Sequence, residues 1–117
     1  MKKLLVPLVV GIMALPATAA TMQCMISGIV SWTDGYCEGI EFTMDFKSHP
    51  ASWRIAGATK PISSVIWSDA TAGCAASATS CTKSITPYQD HLGKATILYS
   101  DGTWEAVQAS ARFETGF

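Results

Sequence analysis

Between Lys94 and Phe113, apolar residues take alternate positions on both sides of Asp101-Gly102. Ala95, Ile97 and Tyr99 share one face before that dipeptide; Val107, Ala109, Ala111 and Phe113 share one face after it. A period of two is the spacing of a half-buried β-strand, and Asp-Gly accepts the positive φ angles of a tight hairpin turn. A two-residue loop sets Tyr99 opposite Trp104 and Ile97 opposite Ala106. The apolar phase must then change near Ala106–Val107, which predicts a β-bulge there.

The same period runs back through the chain. Its longest instance is Gly39–Lys47, with Ile40, Phe42, Met44 and Phe46 on one face and Glu41, Thr43, Asp45 and Lys47 on the other. Met25–Trp32 reads as a weaker strand carrying Ile26, Val30 and Trp32, joined to the first by a turn at Asp34-Gly35. Ser52–Ala56 and Thr82–Thr86 are shorter candidates. Val65-Ile66-Trp67 inside Ile62–Ser68 is a continuous apolar run suited to a sandwich centre. Nothing after residue 20 has a helical period. About seven short strands at even spacing argue an all-β fold, a small antiparallel β-sandwich.

Residues 1–20 read as a secretory signal peptide. Lys2 and Lys3 precede an apolar run from Leu4 to Leu15, and Ala17-Thr18-Ala19 is a small-residue cleavage pattern. The run is too short for a membrane-spanning helix. Thr21-Met22-Gln23 before Cys24 is not a lipid-attachment box, so the mature chain is expected to start at Ala20 or Thr21. Residues 21–117 then form a single β-sandwich domain, periplasmic or secreted, without membrane insertion.

The four cysteines, Cys24, Cys37, Cys74 and Cys81, all follow the leader. An even count in a short exported chain implies two disulfides. Of three pairings, Cys24–Cys37 and Cys74–Cys81 are favoured because each closes a short loop, and neither suggests a bridge between sheets. Their spacing does not fit a zinc site, and His49 and His91 join no ligand pattern.

Ile62-Ser63-Ser64-Val65-Ile66-Trp67 resembles strand C of an immunoglobulin-like sandwich, with Trp67 as its core tryptophan. Asp90-His91-Leu92-Gly93, followed by the hairpin through Glu114, is similar to the final hairpin of bacterial immunoglobulin-like and PKD-type domains. The resemblance covers residues 62–114 and implies a fold, with adhesive, binding or spacer roles but no shared activity.

A formal net charge of −1 offers no basic face for nucleic acid. No nucleophile elbow, phosphate loop or metal-ligand cluster is present, so neither an enzyme nor a cofactor is expected. The expected function is a binding module, most simply a monomer, that recognises a protein or glycan at or outside the bacterial envelope. Trp53, Arg54, Tyr88, His91 and Trp104 are the candidate contacts, as aromatic or charged residues near loops. Two alternatives share this size and compartment. One is a periplasmic inhibitor or immunity protein of the lysozyme-inhibitor kind, which Ser110-Ala111-Arg112-Phe113 faintly resembles in its inhibitory loop. The other is a receptor-binding subunit of an oligomeric toxin. Alternation from Val107 to the terminal Phe117 also resembles the last strand of an outer-membrane barrel, which only an oligomeric pore would accommodate.

Overall fold

The computed structural model describes residues 19–116. Residues 1–18, where most of the expected signal peptide falls, and the terminal Phe117 lie outside them. Eight strands follow in order: β1 Thr21–Ile26, β2 Val30–Asp34, β3 Tyr36–Glu41, β4 His49–Ala56, β5 Ile62–Asp69, β6 Ser80–Ile85, β7 His91–Tyr99 and β8 Trp104–Thr115. They build two four-stranded sheets, ordered β2-β1-β4-β6 and β3-β8-β7-β5, and no helix occurs among the described residues. Every pairing is antiparallel except β3 with β8, which run parallel with Cys37 beside Ala111. The fold is therefore all-β and sandwich-like, with eight strands in mostly antiparallel sheets.

The eighth strand comes from Met25–Trp32, which is two strands and not one. Gly28, at φ 77°, breaks it into β1 and β2. Only a residue without Cβ adopts that angle freely. The Asp34-Gly35 step, expected to turn one hairpin strand into the next, instead carries the chain from one sheet to the other.

The terminal hairpin forms with a different loop. The Tyr99 N–H donates to the Thr103 carbonyl at 2.9 Å, and the Gly102 N–H donates to the Tyr99 carbonyl at 3.0 Å. Ser100, Asp101 and Gly102 thus form a three-residue loop, with Gly102 at φ 88°. One extra loop residue moves the register by one, so Leu98 faces Trp104 and Ile97 faces Glu105. The phase of β8 is set at the turn, and the bulge expected at Ala106–Val107 does not occur. A one-residue change of register exchanges the two faces of a strand. Trp104 thereby lies outside while Val107, Ala109, Ala111 and Phe113 point inward.

Both disulfides pair as favoured, and no cysteine among the described residues is free. Cys24 lies on β1 and Cys37 on β3, so their bridge joins the two sheets, contrary to the expectation from spacing. Sequence separation alone does not show that the intervening chain changes sheet. Cys74–Cys81 anchors the β5–β6 connection, which lies along β5: the Val65 N–H donates to the Ala76 carbonyl at 2.9 Å, and Trp67 Nε1 to the Ala75 carbonyl at 3.2 Å. That cover matters because β5 is an edge strand and not a centre, with Ile66 on its exposed side. Two structural disulfides suit an oxidising extracellular or periplasmic setting. No helix among the described residues is long and apolar enough to cross a membrane.

Inside, Cys24, Trp53 and Cys81 stand side by side on β1, β4 and β6. The Trp53 ring reaches across to the other sheet, where Nε1 donates to the Ala109 carbonyl at 3.0 Å. Gly93 on β7 makes room for it: a Cβ there would lie 2.6 Å from Trp53 Cδ1 and Nε1. Phe113, Met22, Ile26, Val65 and Ile85 complete this core.

Candidate binding surface

The five residues singled out from sequence do not converge. Trp53 is fully buried and hydrogen-bonded in the core, so its part is structural and it cannot touch a partner. Its position on β4, between two strands, was not visible from the few residues around it. Arg54, the next residue, points out of the first sheet. Its guanidinium stacks 4.0 Å over the Trp32 ring while its Nε donates to Gln23 Oε1 at 2.8 Å. Gln23 Nε2 in turn donates to Asp34 Oδ1 at 3.0 Å. Trp32 and Arg54 satisfy each other there.

Trp104 starts β8 and is exposed to 66%. Tyr88 and His91 lie toward the other end of that strand, beside Phe113 and Ala111, roughly 30 and 23 Å away at about 3.3 Å per residue. There β3 and β8 finish, β4 and β7 begin, and two connections sit side by side: residues 42–48 and residues 86–90.

The first connection has the strongest strand pattern in the sequence and is not a strand. β3 stops at Glu41, and Phe42 to Ser48 follow an irregular path with no ladder partner. Phe42 is 75% exposed, Met44 62% and Phe46 62%; Ile40, on the outer side of β3, is also exposed. An alternating run is equally the signature of a core face, which is why sequence reading placed these residues inside. What is missing is a neighbour: β8 and its ladder with β3 end at Thr115, opposite Glu41, so among the described residues the run has no strand to pair with.

The base of this loop is held firmly. Glu41 and His49, the last residue of β3 and the first of β4, meet at 2.5 Å between Oε2 and Nε2. The His49 ring packs edge-on against Phe113, centroids 5.2 Å apart. Beside the loop, the Tyr88 ring stands 6.1 Å from that of Phe46. Tyr88 has φ 65°, unusual for a bulky side chain. Three hydrogen bonds hold it: its N–H donates to the Phe113 carbonyl at 2.8 Å, its hydroxyl donates to the Thr115 carbonyl, and the Thr115 N–H donates to its hydroxyl oxygen at 3.2 Å. His91 Nε2 lies 3.0 Å from the Thr86 carbonyl oxygen, tying the ends of the second connection.

Around the apolar tips two cations meet three carboxylates. Lys47 pairs with Asp45 at 3.4 Å, and Arg112 lies 3.6 Å from both Asp90 and Glu114. Tyr36, exposed on β3, has its hydroxyl pKa raised above the ordinary value, chiefly by a hydrogen bond to the Glu38 carboxylate. No group of three or more His, Cys, Asp or Glu able to hold a metal occurs among the described residues. What the arrangement offers is an exposed apolar ridge on a base tied by Glu41 and His49.

No family model matches the chain, and comparison with curated proteins and with solved structures finds no match.

Proposed function

We propose that this chain is an exported binding module that recognises a protein through the ridge of Ile40, Phe42, Met44, Phe46 and Tyr88. The observation that carries the reading is that Phe42, Met44 and Phe46 are each more than three-fifths exposed in a connection whose base is tied by Glu41–His49. Contiguous exposed apolar side chains on a soluble domain mark interaction sites. A protein partner suits them better than a glycan. The side chains are apolar, and β3 is an edge strand that leads directly into the run, so a partner's strand can pair with β3 beside them.

An immunoglobulin-like wiring is part of this proposal. It is supported by Trp67 lying in the core on β5 and by the β7–β8 hairpin closing the chain. The inhibitor reading has no such support, since Ser110–Phe113 lies inside β8, paired on both sides, with Ala111 and Phe113 buried. The pore reading loses its basis too, because the alternating residues Ala109, Ala111 and Phe113 face the core and not a lipid surface.

The test is affinity capture from the exported fraction with three baits: the native domain, a Phe42→Ser/Phe46→Ser variant and a Trp104→Ala variant. A glycan array and light scattering accompany it. One defined protein held by the native and Trp104→Ala baits, and lost from the double variant, is the expected result. Retention by all three, glycan binding indifferent to the loop, or a ring-shaped oligomer would each overturn the proposal.

A further inference from the structure

At the end of the sandwich opposite the ridge, Ala20 lies just before β1 with its side chain buried among Ile97, Tyr99 and their neighbours. Its backbone nitrogen donates to Glu105 Oε1 at 3.1 Å, and Glu105 Oε2 accepts from the Tyr99 hydroxyl. Glu105 holds a half-buried position on β8 that the hairpin register has turned toward this cluster. A carboxylate aimed at one backbone N–H, 85 residues distant in sequence, is more acceptor than a neutral amide requires. The preceding residues, Ala17-Thr18-Ala19, carry the small-residue pattern read by exported-chain peptidases.

We propose that the chain is cut between Ala19 and Ala20, and that the new α-ammonium of Ala20 is held by Glu105. The inference rests on the exported reading above. In the cut, the Ala19 C–N bond breaks, the hydroxyl of water joins the Ala19 carbonyl carbon, and its remaining hydrogen goes to the Ala20 nitrogen. The new carboxylic acid then passes its proton to the amine. Cleavage precedes folding, so the later burial of Ala20 does not obstruct it. The carboxylate then pairs with a full positive charge in place of a peptide dipole, and charge-assisted hydrogen bonds are about twice as strong as neutral ones. Lys60, with Nζ 4.9 Å from the centre of the Tyr99 ring, is the nearby cation, but its partners are Asp101 and Thr103 and not Glu105.

Two measurements on the exported protein test this. Intact mass and amino-terminal sequencing locate the cut: a chain starting at Ala20 is expected, whereas one starting at Thr21 or elsewhere overturns the assignment. An uncut chain overturns the exported reading itself. The pairing is tested at pH 6 by a four-member cycle in urea. It compares the chain starting at Ala20 with one retaining Ala19, each with and without Glu105→Gln. Retaining Ala19 keeps the amide contact but moves the charge away. It should lower the folding constant about tenfold when Glu105 is present and leave it nearly unchanged in Glu105→Gln, a coupling expected only of groups in contact. Equal effects in both backgrounds would show that the amine and Glu105 do not interact.

Discussion

Single residues separate the two tryptophans that looked alike in sequence. Trp53 fills the middle of the core against Gly93, so Trp53→Ala should cost about 3–5 kcal/mol in urea unfolding. Gly93→Ala should cost about 1–3 kcal/mol by overpacking, because the added methyl meets the ring of Trp53. Trp104→Ala, at an exposed strand end, should stay within about 0.5 kcal/mol. Equal losses at Trp53 and Trp104 would contradict the register of β8. Tyr99 makes a prediction in pH. Burial, then its hydrogen bond to Glu105, pushes its hydroxyl up to about 12 from the ordinary value of 10.0. The folded state therefore holds this proton more tightly than the unfolded chain. The resulting stabilisation is complete below pH 10 and disappears as pH rises from 10 through 12. Unfolding midpoints across that window should fall more steeply for the native protein than for Tyr99→Phe.

Among the elements, the connection after β3 and the turn before β8 show how loops decide faces. Replacing Phe42, Met44 and Phe46 together by serine removes no core contact. Stability should change by under about 1 kcal/mol, while binding of an apolar fluorescent dye should drop. A large loss of stability would mean that the run packs as a strand after all. Gly102→Ala should cost about 1 kcal/mol, since φ 88° is strained for any residue with a Cβ. Half of the strands could be read directly: β4, β7 and β8 overlap their alternating runs, and β5 overlaps a continuous apolar run, although it lies at an edge and not at a centre. Gly39–Lys47 could not, because alternation records which side chains would share a face and says nothing of whether a neighbouring strand is present.

For the whole molecule, the disulfides differ in what they span. Cys24–Cys37 joins the sheets, whereas Cys74–Cys81 closes a shorter loop along one edge. Loop-closure entropy alone gives about 3 kcal/mol for a loop near the length of the first, and less for the second. Replacing Cys24 and Cys37 by alanine should therefore lower the thermal midpoint more than replacing Cys74 and Cys81, measured by calorimetry under matched conditions. The reverse order would place the main constraint at the β5 edge. What could be derived from the residues alone was the all-β class, the two loop-closing pairs and the position of about half the strands, because periodicity and loop closure are local properties of a chain. Which residues form the exposed apolar ridge, that Trp53 is core, and that one disulfide crosses between sheets depended on strand neighbours distant in sequence. Burial is a property of what packs on the other side, and only the assembled sheets supply that.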